Sequence, residues 1–212
     1  QYIPIAEMRS LTLPDGTKVQ LNSKSTLLYP HEFTGDSRSV FLLGEANFKV
    51  KPDKKRPFIV KSNDLQITAL GTEFNVSAYP ESQEIATTLI SGSIRVAYNN
   101  LTTSVILHPN EQFAYNRNNK KYDLSNPDMD DVTAWQRGEL VLQKMTLTDI
   151  INVLERKYPY AFVYSIKNLK NDRFSFRFKD NAPLEEVMEI IVNVVGQMDY
   201  RIVEDKCYLT RI

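Results

Sequence analysis

Hydrophobic and polar residues alternate in short runs along the first part of the chain. Twelve such runs lie between about Met8 and Tyr122, separated by turn-forming stretches such as "PDG", "ND" and "SG". In the run "LGTEFNVSA", every second residue from Leu70 to Ala78 would face the same side of a strand. We therefore predict an all-β domain over residues 1–127, a sandwich or a solenoid-like fold of about 11–12 short strands.

After about Pro127 the spacing of the apolar residues changes to that of a helix. Four of them have the i, i+3, i+4, i+7 spacing of one helical stripe: Leu147, Ile150, Ile151 and Leu154. Thr146 is the predicted N-cap, and Asp149 would lie at the positive end of the helix dipole. Pro159 is predicted to stop this helix.

A second helix is predicted in "APLEEVMEIIVNVVG". Pro183 suits the first helical position, the two glutamates that follow would lie in the first turn, and Gly196 suits the C-terminal cap. The predicted apolar stripe consists of Leu184, Val187, Met188, Ile191, Val194 and Val195.

The two helices have matching surroundings. Leu147 and Leu184 are 37 residues apart, and the other stripe positions keep this offset. Strand-like runs flank each helix, and a last strand follows them: "GELVLQK" and "AFVYS", "RFSFRFKD" and "DYRIV", then "KCYLTRI". We predict that residues 128–212 form one small α+β domain with a duplicated β-α-β unit, because a single unit could not bury both faces of its helix.

The charge balance argues against a nucleic-acid-binding protein. The chain has 26 Lys and Arg and 26 Asp and Glu residues, so it lacks the basic excess that a phosphate backbone attracts. The one basic cluster, "KPDKKRP", is short, interrupted by Asp53 and bounded by prolines. We interpret it as a solvated turn.

Few residues are candidates for chemistry. His31 and His108 are far apart and each lies near a proline, and the sequence contains no zinc-binding, phosphate-binding or serine-hydrolase motif. The single cysteine, Cys207, lies in an alternating terminal run and is interpreted as a small buried hydrophobic residue. We therefore predict no catalytic residue, no cofactor and no metal ion, and hence no enzyme.

An ordered series of motifs resembles a known family. The motifs LPDG-x-x-V-x-L-N, GEA-x-F-x-V, P-F-x-V, LGT-x-FNV-x-AY, L-x-x-G-x-I-x-V and L-x-P-x-EQ follow one another over about 110 residues. This series resembles the extracytoplasmic domain of FecR-type anti-sigma factors. The second part of the chain resembles the C-terminal domain of the same proteins, which is similar to the short N-terminal domain of secretins and TonB-dependent receptors.

The resemblance implies the periplasmic portion of a single-pass inner-membrane protein of a Gram-negative bacterium. Its partners would be the periplasmic signalling domain of a TonB-dependent outer-membrane transporter and, through a cytoplasmic segment, an extracytoplasmic-function sigma factor. That segment and the membrane anchor are absent from this sequence, which agrees with its start at Gln1. The expected function is therefore that of a sensor and relay that controls release of the sigma factor.

The residues that match the family's motifs are predicted to be structural. They are Pro14, Asp15, Gly16, Leu21, Asn22, Gly44, Gly71, Thr72, Phe74, Asn75 and Gly92. Among them, Asp15 and Gly16 would form a tight hairpin turn with positive φ angles, and Asn22 would bond nearby backbone. The other three glycines would mark bulges, turns or close backbone approach.

The partner is predicted to bind by strand addition to an exposed edge of the second domain. The candidate edge residues are Leu140, Val141, Leu142, Tyr200, Ile202 and Tyr208. An alternative function is a carbohydrate- or peptide-binding β-sandwich module. It draws support from 11 Tyr and 10 Phe residues whose rings could stack on a ligand.

Overall fold

The computed structural model of the chain describes residues 1–165, 172–179 and 182–211. They form two compact units, Gln1–Thr133 and Ala134–Ile212. The first unit consists almost entirely of strands and the second combines helices with strands, so the predicted fold class is confirmed. The division into domains between residues 127 and 128 stays a prediction.

The first unit contains twelve strands, most of them four to six residues long. They are β1 (Arg9–Thr12), β2 (Lys18–Leu21), β3 (Thr26–Leu28), β4 (Arg38–Lys49), β5 (Phe58–Lys61), β6 (Gln66–Ala69), β7 (Glu73–Ala78), β8 (Glu84–Ser91), β9 (Ile94–Tyr98), β10 (Thr103–Leu107), β11 (Gln112–Asn116) and β12 (Tyr122–Ser125). A short helix, α1 (Met129–Thr133), ends the unit.

The longest strand, β4, organises the sheet. Its first half pairs with β3 and with β5, which runs parallel to it, and its second half pairs with β2 and β7. From β4 the strand order continues in one direction as β5-β6-β9-β10 and in the other as β7-β8-β11-β12. We call these two arms the β5 half-sheet and the β7 half-sheet.

Two details of the strand prediction are wrong. Two of the twelve predicted runs, "SVFLL" and "ANFKVK", were expected as separate strands but form one, because the chain continues through Gly44 and keeps its pairing with β7 from Gly44 to Lys49. The strand β12 was not among the predicted runs, since Tyr122–Ser125 is exposed along its whole length and shows no buried face.

The two half-sheets pack face to face over one hydrophobic core. Phe48, in the half of β4 that pairs with β7, lies 5.9 Å, between ring centroids, from Phe58 of β5. At the other end of the core, Tyr98 of β9 lies 5.3 Å from Phe113 of β11. These contacts join side chains from the two arms, so the unit is a curled sheet that closes on itself as a sandwich.

The second unit contains two longer helices and five strands. A 3₁₀ helix over Ala134–Arg137 leads into β13 (Leu140–Thr146), α2 (Leu147–Lys157), β14 (Ala161–Val163), β15 (Arg173–Phe178), α3 (Leu184–Val195), β16 (Met198–Val203) and β17 (Lys206–Arg211). Asp180 and Ile212, which end two of the predicted runs, lie outside the described residues.

Both predicted helices are present. Thr146 caps α2 as predicted, since its hydroxyl oxygen accepts a hydrogen bond from the Asp149 backbone N–H. Gly196 is the C-cap of α3, with a φ of 67°. Pro183 is the N-cap rather than the first helical residue, because its ψ of 154° is extended, and Val194 is 58% exposed rather than part of the buried stripe.

The strands of the second unit belong to two separate sheets. β13 pairs antiparallel with β15 in a two-stranded sheet, whereas β14, β17 and β16 form a three-stranded sheet in that order. Each helix therefore connects a strand of one sheet to a strand of the other. The buried faces of α2 and α3 share one hydrophobic core, as predicted from the size of a single unit.

Candidate functional site

The hairpin loop between β1 and β2 is closed by polar groups. Leu13 O accepts a hydrogen bond from Gly16 N, and Gly16 has a φ of 87°, whereas Asp15 does not have the predicted positive φ. Pro14, between Leu13 and Asp15, occupies the second position of this turn, which its fixed φ favours. The Asp15 carboxylate turns inward and accepts hydrogen bonds from the backbone N–H and the hydroxyl of Thr17.

A buried arginine completes this loop. Arg38, the first residue of β4, has no solvent-exposed surface, and its Nη1 lies 2.7 Å from Asp15 Oδ2 and 2.7 Å from the Lys51 carbonyl oxygen. Its Nε donates to the Arg56 carbonyl, and its guanidinium lies 5.5 Å from the centre of the Phe58 ring. Asp15 thus holds a buried cation in place, a role that sequence reasoning missed.

A second polar network links three motifs that are distant in sequence. The Glu45 carboxylate accepts one hydrogen bond from the Asn22 side-chain amide at 2.9 Å and another from the Asn75 side-chain amide at 3.0 Å. Asn22 also accepts a hydrogen bond from the Ser23 backbone N–H. The two asparagines therefore converge on a single carboxylate on β4, which the sequence prediction did not include.

The chain passes very close to itself beside this network. Ser25 exchanges hydrogen bonds with the Glu45 backbone, and a Cβ atom placed on Gly44 would lie 2.4 Å from Ser25 Oγ and 2.7 Å from Ser25 Cα. Gly44 also has a φ of 103°, which residues with a side chain rarely adopt. Only glycine fits at this position of β4.

The remaining motif residues lie at the connections between the half-sheets or in the core. Gly71 and Thr72 connect β6 to β7, and Gly92 connects β8 to β9. A Cβ on Gly71 would approach Pro52 Cα to 2.9 Å, and one on Gly92 would approach Thr72 Cγ2 to 2.6 Å, so the two connections pack together. Leu21 and Phe74 have no exposed surface.

The part of the chain that the structure describes contains no candidate metal cluster, and its one cysteine is buried. Within residues 1–165, 172–179 and 182–211, no group of three or more His, Cys, Asp or Glu residues could hold a metal ion. Cys207 is fully buried, and burial, with a smaller contribution from Glu185, raises the pKa of its thiol to about 11. A thiol with this pKa is protonated at neutral pH and is a poor nucleophile.

One polar cleft opens at an end of the first unit. It has a volume of about 520 Å³ and is formed by the β5–β6 turn, the β9–β10 turn and the end of β11. Tyr115 lines it but is only 2% exposed, and its hydroxyl donates to Asn99 Oδ1. A ring buried in this way offers no face on which a sugar could stack.

The second unit has open strand edges that could pair with another chain. Among the described residues, β16 pairs only with β17, over six residues from Met198 to Val203, so its other edge is unpaired. β13 pairs only with β15, and this ladder is interrupted after Leu142 by a bulge in which Lys144 has a φ of 50°. Tyr200 and Ile202 lie on β16.

The candidate edge residues differ in their strand position and in the burial of their side chains. Tyr208 lies on β17, which has β14 on one side and β16 on the other, so the prediction that it lies at an open edge is wrong. Its position follows from the strand order, in which the last strand of the chain inserts between two earlier ones. On β13, Leu140 and Leu142 are buried in the core, and Val141 is half-buried.

Two arginines, Arg137 and Arg177, form ion pairs with Glu139, the residue that precedes β13. The Glu139 carboxylate accepts hydrogen bonds from Arg137 and Arg177, both at 3.0 Å. These bonds, Arg137 first and Arg177 second, hold the pKa of Glu139 below its ordinary value. Arg177 belongs to β15, so the ion pairs add a side-chain link to the β13–β15 ladder.

No helix within the described part of the chain is long and apolar enough to span a membrane.

Each of the two units contains a match to a protein-family model. The family model described as "FecR protein" matches residues 4–95, and the model described as "FecR, C-terminal" matches residues 139–209. None of the curated proteins matches the chain.

Two crystal structures of a protein from Parabacteroides distasonis ATCC 8503 that was assigned as an anti-sigma factor, at 1.65 Å and 2.50 Å resolution, are similar to this structure. Each is 34% identical in sequence and has a TM-score of 0.93, with 100% of this chain and 98% of that chain covered. Family models in both units and a similar solved structure over the full length lead to one conclusion: this chain belongs to the FecR family of anti-sigma factors.

Proposed function

We propose that this chain is the sensor and relay portion of a transmembrane anti-sigma factor. In this proposal the second unit receives a signal from the periplasmic signalling domain of a TonB-dependent outer-membrane transporter. The response is release of an extracytoplasmic-function sigma factor, held by a cytoplasmic segment outside this sequence. Membership of an anti-sigma factor family supports a sigma factor as one partner and a regulatory rather than a catalytic role.

The observation that carries the transporter assignment is the open edge of β16. This strand keeps an unbroken antiparallel register with β17 over six residues, so the backbone groups along its other edge are regularly spaced, although the Tyr200 backbone N–H donates to Asp199 Oδ1. An extended segment or edge strand of a partner can pair with such a row and continue the sheet. The strand lies within the region matched by the C-terminal family model.

The side chains of β16 leave apolar surface for an added strand to cover. Met198, Tyr200 and Ile202 pack against the core of the second unit but remain half-exposed. Tyr200 is fixed by a hydrogen bond from its hydroxyl to the Glu185 carbonyl oxygen at 3.0 Å. A partner strand beside β16 would bury more of these three side chains and gain the corresponding hydrophobic free energy.

The edge of β13 is the second candidate for the same partner. Its bulge at Lys144 twists the strand locally, and such irregularities weaken pairing with a further strand. Lys144 N already donates to Ser175 Oγ, and the Lys144 carbonyl accepts from Arg173. The ladder of β13 is interrupted, whereas that of β16 is continuous, and we therefore rank the β13 edge below that of β16.

The same proposal locates both units in the periplasm of a Gram-negative bacterium, where the transporter's signalling domain is accessible. A membrane-spanning helix outside this sequence would anchor the protein to the inner membrane. The chain's zero net charge and the polar networks of the first unit, which are internal, give no support to a nucleic-acid partner.

Isothermal titration calorimetry tests the partner. The full 212-residue chain is titrated with the periplasmic signalling domain of the TonB-dependent transporter encoded beside it. We expect saturable one-to-one binding, and we expect a reporter dependent on the cognate sigma factor to respond to inducer in cells carrying the full-length protein. Absence of binding at high micromolar concentrations of both proteins would overturn the transporter assignment, while leaving family membership intact.

A further inference from the structure

The strand β10 has an open edge without the features that normally protect such edges. Among the described residues it pairs only with β9, in full register from Thr103↔Tyr98 to Leu107↔Ile94. Its sequence, "TSVIL", contains no charged residue, proline or glycine. Natural proteins usually blunt edge strands with charges, bulges or short length, because bare edges pair with other chains.

The other open-edged strands described by the structure differ from β10 in charge, length or coverage. Those with more than three residues each carry at least one charged side chain: β1, β12, β13, β15 and β16. β14 has only three residues, and β3, also of three residues, is covered by the bridge between Tyr2 and Thr26. Within residues 1–165, 172–179 and 182–211, β10 is therefore the one open-edged strand of more than three residues that carries no charged side chain, and an uncharged strand of another molecule could pair with it.

The side chains of β10 are uncharged on both faces of the sheet. Leu107 is fully buried and Val105 packs against the core of the first unit. Ser104 and Ile106 point to the opposite face, where Ile106 is 54% exposed. A strand that paired with β10 should itself be uncharged, extended and rich in β-branched residues, so that no charge is buried against these side chains.

We propose that β10 pairs with β10 of a second copy of this chain, in an antiparallel arrangement that makes the protein a two-fold symmetric dimer. The chain itself presents a segment of the required chemistry in the required extended conformation. A two-fold axis at Val105 matches all five residues, placing Val105 opposite Val105 of the second copy and Ser104 opposite Ile106. No like charges face each other across the pair.

Long-range electrostatics also permit two copies to approach. The chain has 26 positive and 26 negative residues, so two molecules carry no net repulsion. The resulting sheet would run from the β5 half-sheet of one copy into that of the other through β10. This interface lies on the first unit and is separate from the β16 edge proposed for the transporter.

Sedimentation velocity over a dilution series of the full chain tests the dimer. The double variant Ser104→Lys/Ile106→Lys places lysines opposite one another at both symmetric positions, and like charges across a pair oppose pairing. We expect its dimer dissociation constant to rise by about tenfold or more. The variant Ser104→Lys/Ile106→Glu instead places a lysine opposite a glutamate and should dimerise like the unchanged chain.

The control is Leu124→Lys, which adds a charge to β12 at a side chain that is 48% exposed. It should leave the dimer unchanged. Circular dichroism melting of each variant identifies loss of folding. The variant Ser104→Lys/Ile106→Glu carries charges at the same two positions without placing like charges opposite one another, so it separates charge repulsion from any other effect of the substitutions. A chain that stays monomeric at near-millimolar concentration, or a dimer equally stable in both double variants, would overturn the proposal.

Discussion

Asp15 and Arg38 form an ion pair with a distance of 2.7 Å between Oδ2 and Nη1, and both side chains are almost fully removed from solvent, with 4% and 1% exposed. The pair joins the β1–β2 hairpin loop to the first residue of β4. Arg38 additionally donates to two backbone carbonyls, so the guanidinium is held by three segments of the chain.

Removal of the Asp15 carboxylate should strongly destabilise the first unit. The variant Asp15→Ala leaves a buried guanidinium without its counter-charge, and losing one partner of a buried pair typically costs about 3–5 kcal/mol. Urea denaturation followed by circular dichroism measures the change in unfolding free energy. The exposed pair between Lys49 and Glu73 is the control, and Glu73→Ala should cost less than about 1 kcal/mol.

The double variant Asp15→Ala/Arg38→Met separates the charge effect from packing. Because the methionine introduces no unpaired charge, we expect the double variant to be more stable than Asp15→Ala alone. If Arg38→Met destabilised the Asp15→Ala variant as much as it destabilises the unchanged chain, the two side chains would be energetically independent. That result would contradict the pairing.

Neutralising Glu45 should also weaken the first unit. Glu45→Gln preserves the shape of the side chain but replaces one carboxylate oxygen by an NH₂ group, which cannot accept a hydrogen bond from Asn22 or Asn75. We expect a loss of about 1–3 kcal/mol in unfolding free energy. Glu7→Gln, at a side chain that is 53% exposed, should have little effect in the same assay.

Gly44 and Gly35 provide a matched pair of alanine substitutions. Gly44→Ala would force a Cβ against Ser25 and impose an unfavourable φ, so we expect destabilisation by about 2–4 kcal/mol. Gly35 has no atom within 4 Å of an added Cβ, and Gly35→Ala should change stability by less than about 0.5 kcal/mol. Thermal unfolding of the two variants checks this, and equal melting temperatures would refute the steric argument.

The stability of the second unit should fall in alkaline solution as Cys207 ionises. Burial raises the pKa of this thiol from 9.0 to about 11, so the folded protein retains the proton that the unfolded chain loses. The stabilisation is complete below pH 9 and is lost as the pH rises from 9 to 11, by about 1.4 kcal/mol for each pH unit.

Cys207→Ala should abolish the decrease in unfolding free energy between pH 9 and 10. Tyr158, whose pKa burial raises to about 12, contributes only above pH 10, where its unfolded form begins to ionise. Denaturant titrations at several pH values measure the slope. An identical slope for the variant and the unchanged chain over that interval would show that Cys207 does not titrate differently on unfolding.

Proline substitutions should distinguish the edges of the second unit in transporter binding. Ile202→Pro removes a backbone N–H from β16, and we expect at least about tenfold weaker binding of the signalling domain, because proline disrupts strand pairing. Val163→Pro, on the opposite edge of the same sheet, is the control and should bind normally. Loss of binding by Val141→Pro with normal binding by Ile202→Pro would move the site to β13.

Local patterns predicted most elements of the fold. Alternation and turn residues identified the strands because each run has a buried face, and the stripe from Leu147 to Leu154 identified α2 because its spacing is set within one helix. The Thr146 cap was predicted because capping depends on residues only three positions apart. Pro183 was misplaced by one position, which is the usual uncertainty of a helix start.

Long-range contacts could not be predicted in the same way. Arg38 precedes an apolar run, where a charged residue normally indicates a solvated strand end, and its burial depends on Asp15, 23 residues away. The role of Glu45 likewise depends on two distant asparagines. Tyr208 was assigned to an edge because its strand is the last in sequence, but its neighbours are decided by the order of strands in the sheet.

The strand β4 has a mechanical consequence for the proposed signal relay. Because its two halves belong to opposite faces of the sandwich, those faces share one covalent segment instead of meeting only through side chains. Full separation of the faces would require β4 to lose its backbone pairing with one of them, either with β3 and β5 or with β2 and β7. We therefore expect the two faces of the first unit to move together as one body.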